Sequence, residues 1–488
     1  MSKKNKIINI SICIFGLILF LTAKFISNNF NNISFEQLLY SIFTSKGGNF
    51  TVLFDGAIYV LLRLFIIVFI FLLVYKLINK YILKNKEINK HLITFFSILF
   101  LIVISYSSFN TVGIIEYIKN QNSVSNIFEK YYVDAKDVNI EFPKEKRNLI
   151  YIYLESMEMT CVSKKNGGYT KESYIPNLEQ IAINNINFSN NNKLGGAYQV
   201  NNTNWTMAAL ISHTAGIPLK LSIGNKFSTK FPSIYNLGDI LKDNGYNNYF
   251  MIGSDATFGK RDEYFKTHGD YTIYDYKYAK EKEYIDEDYF VWWGYEDKKL
   301  FDFAKEELLE ISKQKEPFNF TILTVDTHFT DGYIDNDCEE KFDSKYANAI
   351  YCSDKNVSKF IDWIQEQDFY KDTTIILVGD HLTMQGNFFE TNNRTVYNAI
   401  INSKIKPIKE KERLFSSLDM FPTTLTALGA KIEGDKLGLG VNLFSNEKTL
   451  IEEIGIEKLN KEISKKSNYY NDLLLGNNYY EIKNIEKN

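Results

Sequence analysis

Three apolar runs dominate the first 110 residues and decide what the remainder of the chain can be. Residues 7–27, 56–78 and 91–109 are each long enough to cross a bilayer as a helix. The first is not read as a cleaved signal peptide, because no small-x-small cleavage site follows its apolar stretch. Lys3, Lys4 and Lys6 precede the first run, and Lys76, Lys80, Lys84, Lys86 and Lys90 crowd the junction between the second and third. The segment between the first two runs carries few cations, chiefly Lys46. The positive-inside rule then puts the N-terminus and the second junction in the cytoplasm, and three crossings put everything after residue 110 outside. Arg63, inside the second run, is expected to snorkel to the outer interface, the alternative being a contact with an anionic headgroup.

At 488 residues the chain is too long for one ordinary domain. The expected parts are a three-helix anchor over 1–110, an extracytoplasmic linker over 111–146, an extracytoplasmic domain over 147–446 and a tail over 447–488. The tail is expected as a peripheral helix that docks on the domain. Over the whole chain 56 basic and 59 acidic side chains nearly cancel, so nothing points to nucleic acid.

From about Arg147 short apolar runs alternate with amphipathic helices, which predicts an α/β domain: a mostly parallel central sheet covered by helices. Strands are expected over 148–154, 248–252, 318–325 and 373–378, and helices over 233–243, 353–367 and 422–428. Glu155, His328 and Asp380-His381 fall at or just beyond strand C-terminal ends, the edge where open α/β sheets bind ligands. Singly, each has an ordinary explanation as a loop charge, a turn or a structural histidine. Together, in a chain with five histidines, they point to a metal site. His213, inside an expected helix, is set aside as packed or hydrogen-bonded.

A small-residue, Asn-rich loop from Gly195 runs into Trp205-Thr206, followed by the apolar pattern Met207, Leu210 and Ile211 of a helix start. A hydroxyl there sits where unpaired N–H groups and the helix dipole favour an anion. Read alone, Thr206 is an N-cap. With Glu155, Asp380 and His381 it completes a set of three oxygens and one nitrogen, which suits Mn²⁺ or Mg²⁺ and is tolerated by Zn²⁺.

These motifs carry a resemblance. Leu154-Glu155-Ser156, the loop to Trp205-Thr206, His328 and Val378-Gly-Asp-His381 resemble the phosphoglycerol transferase and lipoteichoic acid synthase branch of the alkaline phosphatase/sulfatase superfamily. Phe258-Gly-Lys-Arg261-Asp262 with His268-Gly269, Trp293-Gly294-Tyr-Glu-Asp297 and Asp419-Met-Phe-Pro422 add to it. Three apolar runs rather than five, and Trp-Thr, depart from the synthases, and the loop with Trp-Thr looks closer to the phosphoglycerol transferase I type. No Cys-x-Pro-Ser-Arg occurs, so formylglycine chemistry is absent.

The resemblance implies a multi-pass enzyme of the bacterial cytoplasmic (inner) membrane with its catalytic domain facing the periplasm. Glu155, Thr206, Asp380 and His381 would hold one divalent ion, Mn²⁺ favoured. Thr206 would attack phosphatidylglycerol, and a surface glycan or polyol-phosphate acceptor would then displace it. His328 would move protons or contact phosphate, and Arg261, Trp205 and His268 would bind substrate. Three alternatives stay open: a phosphoethanolamine transferase, a lipoteichoic acid synthase-type enzyme, or a phosphodiester hydrolase. A non-enzymatic lipid- or glycan-binding protein ranks lower, since every metal position is filled. Cys338 and Cys352 either pair or stay as free thiols, Cys161 is left over, and Cys13 lies in the first apolar run.

Overall fold

A computed structural model describes residues 3–30, 33–44, 51–82, 89–221, 230–386 and 388–475. Lys46, Lys84, Lys86, the side chains of Lys3 and Lys4, and the tail beyond 475 lie outside the described residues. The chain forms two compact units, one of residues 1–38, 49–119 and 385–387, the other of 39–48, 120–384 and 388–488.

In the smaller unit, α1 (Lys3–Asn29), α3 (Thr51–Tyr81) and α4 (Lys90–Thr111) are each long and apolar enough to cross a membrane. A shorter helix, α2 (Phe35–Phe43), lies between the first two in sequence. α1 packs on α3 and α4. Close approach to α4 depends on Gly16, where a Cβ would come within 2.8 Å of Ile104 Cγ2. Asn9 donates to Thr94 across the same seam at 3.1 Å. α3 turns Leu61, Phe65, Phe69 and Phe71 outward, with Phe65 72% exposed. Hydrocarbon accepts such a surface and water does not, so these helices mark a membrane anchor. Arg63 stacks its guanidinium 3.5 Å from the ring centre of Tyr59, one turn earlier.

The larger unit is built on a six-stranded sheet: β1 (Asn148–Leu154), β2 (Asn247–Ile252), β3 (Thr272–Tyr274), β4 (Phe318–Leu323), β5 (Thr373–Gly379) and β6 (Asn398–Ile401). Their spatial order is β3-β2-β4-β1-β5-β6. All neighbours run parallel except β6, which closes one edge antiparallel to β5. β1 reads as an unbroken apolar run because both faces are buried. Leu149, Tyr151 and Tyr153 enter one core, Ile150, Ile152 and Leu154 the other. Helices Thr206–Ala215, Leu237–Asp243 and Met420–Ala427 cover the first face, and Pro176–Asn184, Asp297–Ile311 and Lys345–Gln365 the second.

Element boundaries move where a cap outranks the apolar period. The helix expected from Ser233 begins at Leu237, because Asn236 and Asp239 form a reciprocal capping box. The helix expected from Ser353 starts at Lys345, where the Ser344 hydroxyl accepts from the Ala347 N–H. The 111–146 connector is divided between the two units. From Asn120 it belongs to the larger unit, with Ile127 and Phe128 in the core and Ile140–Glu141 paired antiparallel to Lys431–Ile432. In the tail, helices Ile456–Ser464 and Asn468–Leu475 bury Leu459, Ile463 and Tyr470. The Tyr470 hydroxyl donates to Pro218 O at 2.8 Å and accepts from Lys220 N at 2.8 Å.

Cys338 and Cys352 are disulfide-bonded, with Cα atoms 5.9 Å apart, and Cys13 and Cys161 are free. Closing a loop of this size restricts the unfolded chain by about 3 kcal/mol. Cys338→Ser is therefore expected to lower the thermal midpoint of the larger unit. A reductant should lower the parent chain similarly and leave the variant unmoved, as read by a thermal melt.

Candidate active site

The C-terminal ends of β1 and β5 bring the first ligating groups together. Glu155 follows β1, and Asp380-His381 follows β5, with Asp380 N–H donating to Leu154 O at 3.1 Å. This approach requires glycine at 379, where a Cβ would lie 1.8 Å from Met157 O. Asp380 Oδ1 accepts from Ser156 N at 2.8 Å and from His381 N at 2.7 Å. Ser156, in the left-handed region at φ 55°, donates its hydroxyl to Glu155 Oε1 at 2.8 Å. The carboxylates are thereby aimed by backbone turns.

Glu155, Asp380 and His381 each offer one ligand atom, and those atoms lie within 4.8 Å of one another, all three residues buried. His381 Nε2 is 3.3 Å from Asp380 Oδ2 and 3.6 Å from Glu155 Oε1. Its Nδ1 faces Leu382 O at 2.9 Å, which makes that nitrogen the donor and leaves Nε2 to the carboxylates. Thr206, first residue of its helix, puts its hydroxyl 3.3 Å from Glu155 Oε2 and 3.5 Å from His381 Nε2.

The electrostatics of this cluster call for a cation. Burial, then the neighbouring Glu155, pushes Asp380 up to about 7. Burial would raise Glu155 too, but His381, His328, the Ser156 hydrogen bond and Arg261 together outweigh it and hold Glu155 below the usual carboxylate range. Asp380 Oδ2 is buried with no hydrogen-bond partner. Such an atom, beside a second carboxylate, an imidazole lone pair and a hydroxyl, fits a hard divalent ion.

A pocket opens beside this cluster, lined in part by Glu155, Thr206, Phe258, Arg261, Trp293 and His328. Arg261 is 7% exposed, and its Nε and Nη1 are buried without partners, so the guanidinium offers donors to an incoming anion. Burial lowers its pKa and nearby Glu155 raises it. Its stem position is set by Gly259 and Lys260, at φ 66° and 56°, and it lies 5.1 Å over the Phe258 ring. His328 bonds Phe329 O through Nδ1 at 2.5 Å and packs 4.7 Å from Trp293. Burial holds the His328 imidazole below its ordinary pKa. The β4 end that carries it is anchored by Asp297, which accepts from Val325 N at 2.8 Å and Asp326 N at 3.0 Å.

The structure thus gathers Glu155, Thr206, Arg261, His328, Asp380 and His381 at one sheet edge. It does not bring Trp205 or His268 there. Trp205, expected as a substrate contact, is 6% exposed, packs in the core 6.0 Å from Tyr40 and lies outside that pocket wall. His268 spends both ring nitrogens on Asp239 Oδ2 at 2.8 Å and Lys230 O at 2.7 Å, leaving none for substrate. His213 is buried, bonded to Ala209 O at 2.8 Å, and pushed down to about 4 by burial. Phe258 and Trp293 are pocket residues that the ligand pattern does not reveal, although both stand in quoted motifs beside a glycine.

Comparison with known proteins places this geometry. A family model described as Sulfatase matches residues 147–430. Phosphoglycerol transferase I of Escherichia coli O127:H6 is 33% identical over 337 residues, 66% of this chain and 41% of that protein, so the chain spans well under half its length. The lipoteichoic acid synthase LtaP of Listeria monocytogenes is similar at TM-score 0.49 and 20% identity, over 65% of this chain and 81% of that one. The phosphoethanolamine transferase EptA of Neisseria meningitidis is similar at TM-score 0.49 and 14% identity, over 86% and 84%. The matched region covers more than half of the sequence and the whole of the central sheet, and the chain belongs to the sulfatase family.

Proposed function

We propose that this chain is a membrane-anchored phosphoglycerol transferase that moves glycerol phosphate from phosphatidylglycerol to a surface or periplasmic glycan. The observation that carries the reading is the threonine hydroxyl set between a buried carboxylate–imidazole cluster and an unpartnered buried arginine. The name of the E. coli relative, phosphoglycerol transferase I, supports phosphoglycerol as the group moved. Three apolar helices support a site held beside its lipid, which raises the effective donor concentration.

Glu155, Asp380, His381 and the Thr206 oxygen would hold one divalent ion, Mn²⁺ before Mg²⁺ or Zn²⁺. Bound there, it lowers the hydroxyl's pKa and neutralises a phosphoryl oxygen. Arg261 receives the non-bridging oxygens of the phosphodiester in its fork. Thr206 Oγ1, its proton released to solvent, forms a bond to phosphorus, the bond from phosphorus to the diacylglycerol oxygen breaks, and glycerophosphoryl-threonine remains. The leaving oxygen takes a proton from His328, whose protonated form is favoured by the bound anion. The acceptor hydroxyl then attacks phosphorus, gives its proton to His328 and releases Thr206. The helix N-terminus under Thr206 favours the negative charge at each step.

The test supplies the detergent-solubilised full chain with phosphatidylglycerol, Mn²⁺ and a glucan acceptor. Diacylglycerol release with labelled glycerol phosphate on the glucan supports the reading. Release of free glycerol phosphate only would make the chain a hydrolase, and turnover of phosphatidylethanolamine alone would make it a phosphoethanolamine transferase. Arg261→Ala is expected to lower kcat/KM about a hundredfold, and Arg261→Lys to recover little, since a point charge does not replace the fork.

A further inference from the structure

The loop that carries Arg261 is completed by a residue distant in sequence. Residues 39–44 belong to the larger compact unit, although they lie between the first two long apolar helices in sequence. Within that unit the Tyr40 hydroxyl donates to Gly259 O, and Gly259 N–H donates to Thr44 O at 3.3 Å. Both backbone polar groups of a buried, left-handed glycine are thus satisfied by one short stretch. The Tyr40 ring is 3% exposed and lies 6.0 Å from that of Trp205, the residue before Thr206. A Cβ at Gly259 would stand 4.0 Å from both Tyr40 Cε1 and Arg261 Nε, so the glycine is held between them.

We infer that Tyr40 is a positioning residue of the active site, which fixes the Gly259–Lys260 turn and thereby aims the Arg261 guanidinium at the phosphate. The inference rests on the reading of Arg261 as the phosphate contact. It goes beyond that reading in making the stretch between the first two apolar helices part of the catalytic unit. Lys260 also sits at positive φ, and the turn before Arg261 is closed locally by Lys260 N–H donating to Thr257 O at 3.0 Å. The tyrosine hydroxyl on the glycine carbonyl adds a constraint from outside the turn. The Tyr40–Trp205 packing ties the same support to the residue adjoining the nucleophile.

The experiment is a double-mutant cycle on the full chain in detergent, loaded with Mn²⁺ and titrated with inorganic phosphate. Tyr40→Phe keeps the ring and removes the donor, and is expected to weaken phosphate about five- to tenfold, the effect of one buried hydrogen bond. Mn²⁺ affinity and the thermal midpoint should stay near those of the parent. In the Arg261→Ala background the same substitution should change phosphate affinity little. An unchanged phosphate affinity in Tyr40→Phe overturns the inference, as does an equal loss in both backgrounds. A parallel fall in Mn²⁺ affinity would make the role merely structural. Equal phosphate binding by the parent and Arg261→Ala, or none by either, overturns the site reading itself and this inference with it.

Discussion

Thr206→Ala is expected to reduce turnover on the order of 10⁴-fold, the scale seen when a covalent nucleophile is removed from an otherwise intact site. Thr206 opens its helix and its side chain is only partly buried, so alanine there should move stability by no more than about 0.5 kcal/mol. Thr206→Ser keeps the oxygen and should retain measurable turnover. Diacylglycerol release beside a thermal melt separates the cases. A Thr206→Ala chain that is folded and nearly as active as the parent would remove the nucleophile from the account.

Asp380→Asn is the second large effect, and it isolates the metal. Asp380 Oδ1 already accepts from Ser156 N and His381 N, and an asparagine oxygen can keep both bonds. The other oxygen, unpartnered and buried, becomes an amide nitrogen. Mn²⁺ affinity should fall by more than the 10–100-fold that loss of an outer-shell partner costs, and turnover with it. The metal-free chain should respond in the opposite direction. Burial and Glu155 hold Asp380 near 7 in the folded state, whereas an unfolded aspartate titrates near 3.8. Folding therefore bears the cost of ionising this group above pH 7, bears part of it between the two values, and none below both. The metal-free Asn variant should melt above the parent at pH 8 and together with it near pH 3. Added Mn²⁺ should raise the melt of the parent only.

Much of this site is legible in the sequence because strand ends announce themselves. Unbroken apolar runs end at Glu155 and Gly379-Asp380-His381, and a third leads to His328. A parallel sheet then brings separated strand ends to one edge without further information. Thr206 is legible through the helix start behind it. Trp205 and His268 lie away from the pocket wall for a shared reason. Both adjoin site motifs, but neighbours along a helix start or a turn point different ways, and only packing decides which one faces the pocket. Nothing in residues 39–44 announces Tyr40, since its partner is the backbone of a glycine far along the chain. The packing of linker and tail is not announced either: Phe128 and Tyr470 are far apart in sequence, and their rings meet 5.0 Å apart only after folding.

The central claim is that Thr206 becomes covalently linked to the donor headgroup. The full chain is incubated with phosphatidylglycerol and Mn²⁺ without acceptor, and its intact mass is measured beside that of Thr206→Ala. A glycerophosphoryl adduct on the parent, mapped to Thr206 and missing from the variant, is the predicted result. An adduct that persists in Thr206→Ala, or diacylglycerol release that does not need Thr206, would contradict the account.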